Sequence, residues 1–262
     1  MARETHHKLL QRVFEARYDG GYRYLDRCGD VMLILEDALG QLTEKVWMPR
    51  ELAPAGATLV CPDLDMTVRF DTYHLVVDQN PAFTECGFTE IAEEVFAATK
   101  GRFDLSEYVR LGFRSIHIFA ADSLEEAEKM AVERAPLADF PGDAPEGMSL
   151  ASTEVVTEFA LPDHSKGIRF KMNPAYKAGI AVETEQRLKV HPRLLPQNQR
   201  QALLEQQRRH KIREEDPDAG LVIDMDYYWI RPSVPLLKDF WREAEKATEN
   251  VRRAFGRGWV RR

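Results

Sequence analysis

Cysteine is scarce in this chain. Cys28, Cys61 and Cys86 stand far apart among 262 residues. An odd, widely spaced set does not make a disulfide framework. No C-x-x-C occurs, so the zinc-ribbon spacing is absent, and the thiols read as small buried apolar groups. Long apolar runs are missing as well. The longest, Val31 to Leu35, is far too short to span a bilayer. The opening, MARETHHKLL, has neither a continuous apolar stretch nor a cleavage pattern, and the expectation is a cytoplasmic protein. Neither G-x-S-x-G nor H-E-x-x-H appears, and there is no glycine-rich phosphate loop. Nucleophile-elbow and zincin chemistry therefore have no support. The expectation is no catalytic residue, no cofactor and no bound metal.

What is present in quantity is charge, unevenly placed. Charged residues make up 30% and apolar ones 44%, with a net charge of −7, the balance of a globular chain. Residues 187–213 hold eight cations, Arg187, Lys189, Arg193, Arg200, Arg208, Arg209, Lys211 and Arg213, against Glu205 alone, a net of +7. The tail 252–262 adds Arg252, Arg253, Arg257, Arg261 and Arg262 and no acid, a net of +5. The rest of the chain must then carry −19. Such asymmetry speaks of partners and association rather than of fold. From Gln197 to Arg213 only Ala202, Leu203, Leu204 and Ile212 are apolar. That helix cannot be core. It is either a solvated arm or a grip on an acidic partner. It lacks the aromatic residues that stack single-stranded bases.

The pattern along the chain predicts an α+β fold, antiparallel sheets with helices packed on one face. A helix is expected over 5–18, from Leu9, Leu10, Val13 and Phe14, and another from Tyr22 to about Leu42. Pro49, Pro54 and Gly56 predict a loop. Strands are expected at 57–61 and 66–78, a helix at 89–100 and a strand at 108–119. Ser123-Leu-Glu-Glu126 is a capping box that opens a helix to Arg134. The Pro- and Gly-rich loop after it is the best internal boundary. Strands follow at 153–161, 168–172 and 178–190, then the basic helix, a strand at 221–230 and a final helix over 234–255. The expected division is an N-terminal helical segment 1–56, a first α+β half 57–147 and a second half 148–262 carrying the insertion 187–213. Both halves end strand-then-helix, which suggests duplication.

Arg110-Leu-Gly-Phe-Arg114 on one strand, Val-Ile-Asp224-Met-Asp226-Tyr on a later one and a final amphipathic helix ending in Phe255-Gly256 together resemble a sporadically distributed bacterial protein family of similar length. The resemblance runs over roughly residues 57–256 in element order and stops at the N-terminal segment and the basic insertion. It implies an α+β bacterial protein of the cytoplasm and no particular activity.

Two constellations could carry chemistry. Glu183, Glu185, Arg187 and Lys189 alternate onto one strand face, in the manner of the E-x-E-x-K/R strand of triphosphate-tunnel enzymes. Asp224 and Asp226 share one face of their strand, as Arg110 and Arg114 do of theirs. Adjacent strands would turn these four into a cross-strand ion network, and Asp63 and Asp65 form a similar acidic pair. Hard carboxylate oxygens could instead hold Mg²⁺. His117, between Phe113 and Phe119, reads as a satisfied core residue. Three functions remain: a non-catalytic binding or assembly protein that holds an acidic partner, or another copy of itself, through the arm and tail; a metal-dependent phosphoryl or triphosphate hydrolase using Glu183, Glu185, Asp224 and Asp226; and a non-specific nucleic-acid-binding protein.

Overall fold

The computed structural model describes residues 7–19, 21–80, 87–134, 155–176, 219–232 and 237–256. They build one nine-stranded antiparallel sheet and four α-helices. The strands are β1 (His7–Tyr18), β2 (Met48–Ala53), β3 (Gly56–Cys61), β4 (Met66–Phe70), β5 (His74–Gln79), β6 (Tyr108–Ala121), β7 (Val155–Ala160), β8 (Lys166–Tyr176) and β9 (Ala219–Ile230). The helices are α1 (Tyr24–Thr43), α2 (Phe88–Phe103), α3 (Leu124–Arg134) and α4 (Leu237–Gly256). None of the described helices is long and apolar enough to cross a membrane.

The strand order is β2-β3-β4-β5-β1-β6-β9-β8-β7. The two halves therefore run outward from a β1–β6 seam in the same sequence: first strand, last strand, then the intervening hairpin strands. Each half places a helix after its first strand and another after its last. The echo in the sequence paired β6 and α3 with β9 and α4, and both pairs lie in the second of these halves. The seam is long, and its register runs from His7↔Phe119 to Tyr18↔Tyr108.

All four helices pack on one side of the sheet, because the apolar residues alternate to that side. Phe14, Ala16 and Tyr18 of β1, Leu111 and Phe113 of β6, and Leu221, Ile223, Met225, Tyr227 and Trp229 of β9 are buried there. The main cluster joins them to Val31, Leu35 and Leu39 of α1, to Ile91, Val95 and Phe96 of α2, and to Phe240 and Trp241 of α4. A smaller cluster under α3 holds Phe119, Phe170, Met172 and Leu221 with Met130 and Ala131. A polar chain anchors α4 to the sheet. Trp229 Nε1 donates to Tyr227 Oη at 2.9 Å, Tyr227 donates to Glu243 at 2.8 Å, and Lys166 donates to Glu243 at 3.0 Å while lying over the Trp229 ring.

Three expectations about elements are corrected. The segment 7–18 is a strand, not a helix. A bulge between Leu9 and Gln11 moves the helix-facing positions from His7 and Leu9 to Arg12, Phe14 and Ala16, and the broken alternation imitates a helical period. Residues 48–53 form a strand in place of a loop; it is the sheet edge, where Pro49 is tolerated at a second bulge. The run 66–78 is two strands, because the Asp71 carboxylate accepts from the amides of Tyr73 (2.6 Å) and His74 (2.8 Å) and closes a turn. The sheet is also continuous at its centre: β1 and α1, assigned by sequence to a separate N-terminal segment, stand with β2–β5 and α2, while β6 and α3, assigned by sequence to the half 57–147, stand with β7–β9 and α4. Residues 178–190 and the basic helix lie outside the described residues.

Candidate functional site on the open face of the sheet

The face opposite the helices carries charge. Its odd positions on β1 are Gln11, Val13, Glu15 and Arg17; its neighbours are Val76 and Asp78 of β5, Arg69 of β4, Arg110, Gly112, Arg114 and Ile116 of β6, Arg169 and Lys171 of β8, and Asp224 and Asp226 of β9. They line a groove of about 660 Å³. Six cations stand in it against four carboxylates.

Arg110 is the centre of this floor. Register places it opposite Arg17 on one side and Ile230 on the other, and its guanidinium reaches diagonally in both directions. Nη1 donates to Glu15 at 2.8 Å, and Nη2 meets both oxygens of Asp226 at 2.6 Å. Tyr228 lies beneath it, 5.8 Å from ring centroid to guanidinium carbon. Gly112 leaves the room for this reach: a Cβ there would stand 2.1 Å from Arg110 Nη1. Arg114 makes a parallel fork to Asp224, Nε to Oδ1 at 2.7 Å and Nη2 to Oδ2 at 2.5 Å. Arg17 pairs with Glu15 at 3.0 Å. Gln11 donates to Asp78 at 2.8 Å, and Arg69 stands 4.0 Å from the same carboxylate.

The hydrogen bond from Arg114 to Asp224 holds the Arg114 guanidinium above its ordinary pKa. Asp226 is pushed the other way: burial raises its carboxyl, while Arg110 acts to lower it. The two-oxygen contact at 2.6 Å is that of an ionised carboxylate, and at neutral pH the pair is charged.

The structure thus brings Arg110, Arg114, Asp224 and Asp226 together, and it adds Glu15, Asp78, Arg17, Arg69, Arg169 and Lys171, which sequence reading did not connect with them. The signal was there in the odd-numbered polar residues of 11–17, hidden by the helical assignment of that segment. The two aspartates offered for a metal are occupied by guanidinium groups, and among the described residues no group of three or more His, Cys, Asp or Glu side chains has metal-binding geometry. Asp63 and Asp65 sit at the Pro62–Leu64 turn and do not line the groove. Glu183, Glu185, the arm Arg187–Arg213 and the tail cations Arg257, Arg261 and Arg262 lie outside the described residues. Arg169 makes no ion pair among the described residues and is exposed on the floor. Comparison with protein families finds no match to this chain, and comparison with curated proteins finds none either.

Proposed function

We propose that this chain is a non-catalytic binding or assembly protein that holds an acidic protein segment on the open face of its sheet, with the basic arm 187–213 and the Arg-rich tail adding attraction. The observation that carries this reading is the floor itself. The groove lining carries six cations against four carboxylates, and each of those carboxylates already engages a cation, so the floor presents a net positive charge to a ligand. The paired acids fix the guanidinium groups in place, which lowers the ordering cost of binding. The side-chain forks suit carboxylate recognition. A hydrolase would need its carboxylates free for metal or water, and Asp224 and Asp226 serve the arginines instead. Membership of the bacterial family that the strand motifs resemble, and a place in the cytoplasm, belong to the same proposal.

The test is titration of a labelled polyglutamate peptide into the full chain at low and at physiological salt, beside duplex DNA and beside sedimentation of the chain alone. Salt-sensitive binding of the peptide, weakened when Arg200, Arg208, Arg209 and Arg213 are changed together to Gln, supports the reading. Exposed charges act over only about 8 Å at physiological ionic strength. Stronger binding of DNA would replace the partner class with nucleic acid. Self-association that the same changes abolish would make the partner a second copy. No binding of any of them overturns the proposal.

A further inference from the structure

A second cavity, of about 300 Å³, lies on the helix side of the seam. Its walls are β1, β6, the first turn of α2 and one face of α4. Three aromatic rings in mutual contact form one wall. Phe113 stands 5.3 Å from Trp241 and 6.1 Å from Phe88, and Phe88 stands 6.1 Å from Trp241, all between ring centroids. Leu9 adds to this apolar wall. The volume is at the lower end of small-molecule sites.

The polar groups around it are unmatched. Ser115 Oγ, His117 Nδ1 and Trp241 Nε1 have no hydrogen-bond partner among the described residues, and these side chains are 3%, 9% and 4% exposed. A buried polar group left without a partner is destabilising. Three around one cavity are a set that a ligand would complete. The indole N–H can only donate. His117 is therefore buried as the sequence suggested, but it is not satisfied.

The charges single out one residue. Arg252 is committed to Glu249, to which its Nε donates at 2.6 Å, and to His7, 3.0 Å away. Glu249 also accepts from Arg253 at 2.8 Å. Arg12, half-buried on the helix side of β1, makes no hydrogen bond among the described residues and is attracted by the charge of Glu245, which lines the same cavity. The first turn of α2 carries its own anion, because the Glu90 carboxylate folds back over Gly87. Arg12 is thus the cation of the cavity lining that makes no hydrogen bond or close ion pair among the described residues.

We propose that this cavity binds a small aromatic carboxylate, its anionic end against Arg12 and toward the donors of Ser115 and Trp241, its ring packed on the wall formed by Phe88, Phe113 and Trp241. The site is separate from the open face and does not depend on what binds there. Phenylacetate serves as the test ligand, with neutral phenylacetamide and inorganic phosphate as controls. Binding to the full chain is followed by calorimetry and by ligand-detected NMR. Phenylacetate binds, and the amide and phosphate bind at least tenfold more weakly. Arg12→Gln weakens phenylacetate tenfold or more, and Ser115→Ala weakens it several-fold. Arg12→Lys keeps the charge and loses the fork; it retains binding that is reduced several-fold, and it replaces Arg12→Gln if that variant does not fold. Equal binding of acid and amide, equal binding by phosphate, undiminished binding to a folded Arg12 variant lacking the charge, or no binding of phenylacetate at millimolar concentration each overturns the proposal.

Discussion

Changing Arg110 to Gln removes the cation from between two carboxylates. The Arg110 side chain is 15% exposed, and Glu15 and Asp226 are 21% and 32% exposed. Breaking a fully buried pair by deleting one partner costs about 3–5 kcal/mol. The groove admits water, so the lower end applies, and the expected loss is about 3 kcal/mol. For a chain of this size that lowers Tm by roughly 6–12 °C. Urea denaturation followed by circular dichroism measures it. Two further results identify the cause. Arg110→Gln combined with Asp226→Asn recovers part of the loss, since one of the stranded carboxylates is gone. The deficit also depends on pH. A carboxyl whose folded pKa lies above its unfolded value contributes stability below the unfolded pKa and loses it as pH rises through the folded one. Without Arg110, Asp226 keeps the burial that raises it and loses the main cause that lowers it. The gap between parent and variant is therefore widest at neutral pH and narrows in acid, below a pH of about 4. A loss under about 0.5 kcal/mol, the size usual for an exposed surface change, would show that the ion network does not hold the floor together.

Other outcomes follow from single features. His117 is held near pKa 4 by burial first, then by the charges of His7, Arg252 and Arg12 against that of Glu249. The unfolded chain takes up this proton first, so stability is full above pH 6.5 and falls by up to about 3 kcal/mol between pH 6.5 and 4; His117→Asn should flatten that decline in denaturation midpoints measured across the range. Phe14 is fully buried at the seam against Phe96, Phe240 and Trp241, and Phe14→Ala should cost about 3–5 kcal/mol by the same measurement. A Cβ at Gly220 would stand 2.6 Å from the Phe119 carbonyl oxygen. Backbone of a paired strand cannot yield as a side chain does, so Gly220→Ala should cost about 1–3 kcal/mol, and an unchanged midpoint would show that the β6–β9 ladder gives way freely.

Where alternation was uninterrupted, the sequence disclosed the structure. β6 and β9 are read almost to the residue, because one face is apolar and the other charged. α3 is read from its cap: the Glu126 amide donates to Ser123 Oγ at 3.1 Å, and the Glu126 carboxylate accepts from the amide of Asp122 at 2.6 Å, one residue before the cap. The failures are local and physical. One bulge at Leu10 gave β1 the spacing of a helix, and the loss of β1 hid both the seam and half of the open face. Pro49 made an edge strand look like a loop. The pairing of Arg114 with Asp224 could be suggested from same-face spacing, but the diagonal reach of Arg110 to Glu15 depends on a long-range register that no local pattern contains. The cavity beside Arg12 was invisible for the same reason, since its walls are drawn from both ends of the chain, from Leu9 and Arg12 to Trp241 and Arg252.

The claim that the open face is a grip for acidic segments rests on its net positive charge; Arg169 makes no ion pair among the described residues, and Arg69 stands 4.0 Å from Asp78. Changing both to Gln should leave the denaturation midpoint within about 0.5 kcal/mol for each site. The decisive measurement is fluorescence anisotropy of labelled polyglutamate with the parent and with this double variant at low and at physiological salt. Two rim charges, at about 0.7 kcal/mol each, predict binding about tenfold weaker for the variant, with a shallower dependence on salt. Equal affinity and equal salt dependence in the two proteins would contradict the account and leave the charged floor as a structural network alone.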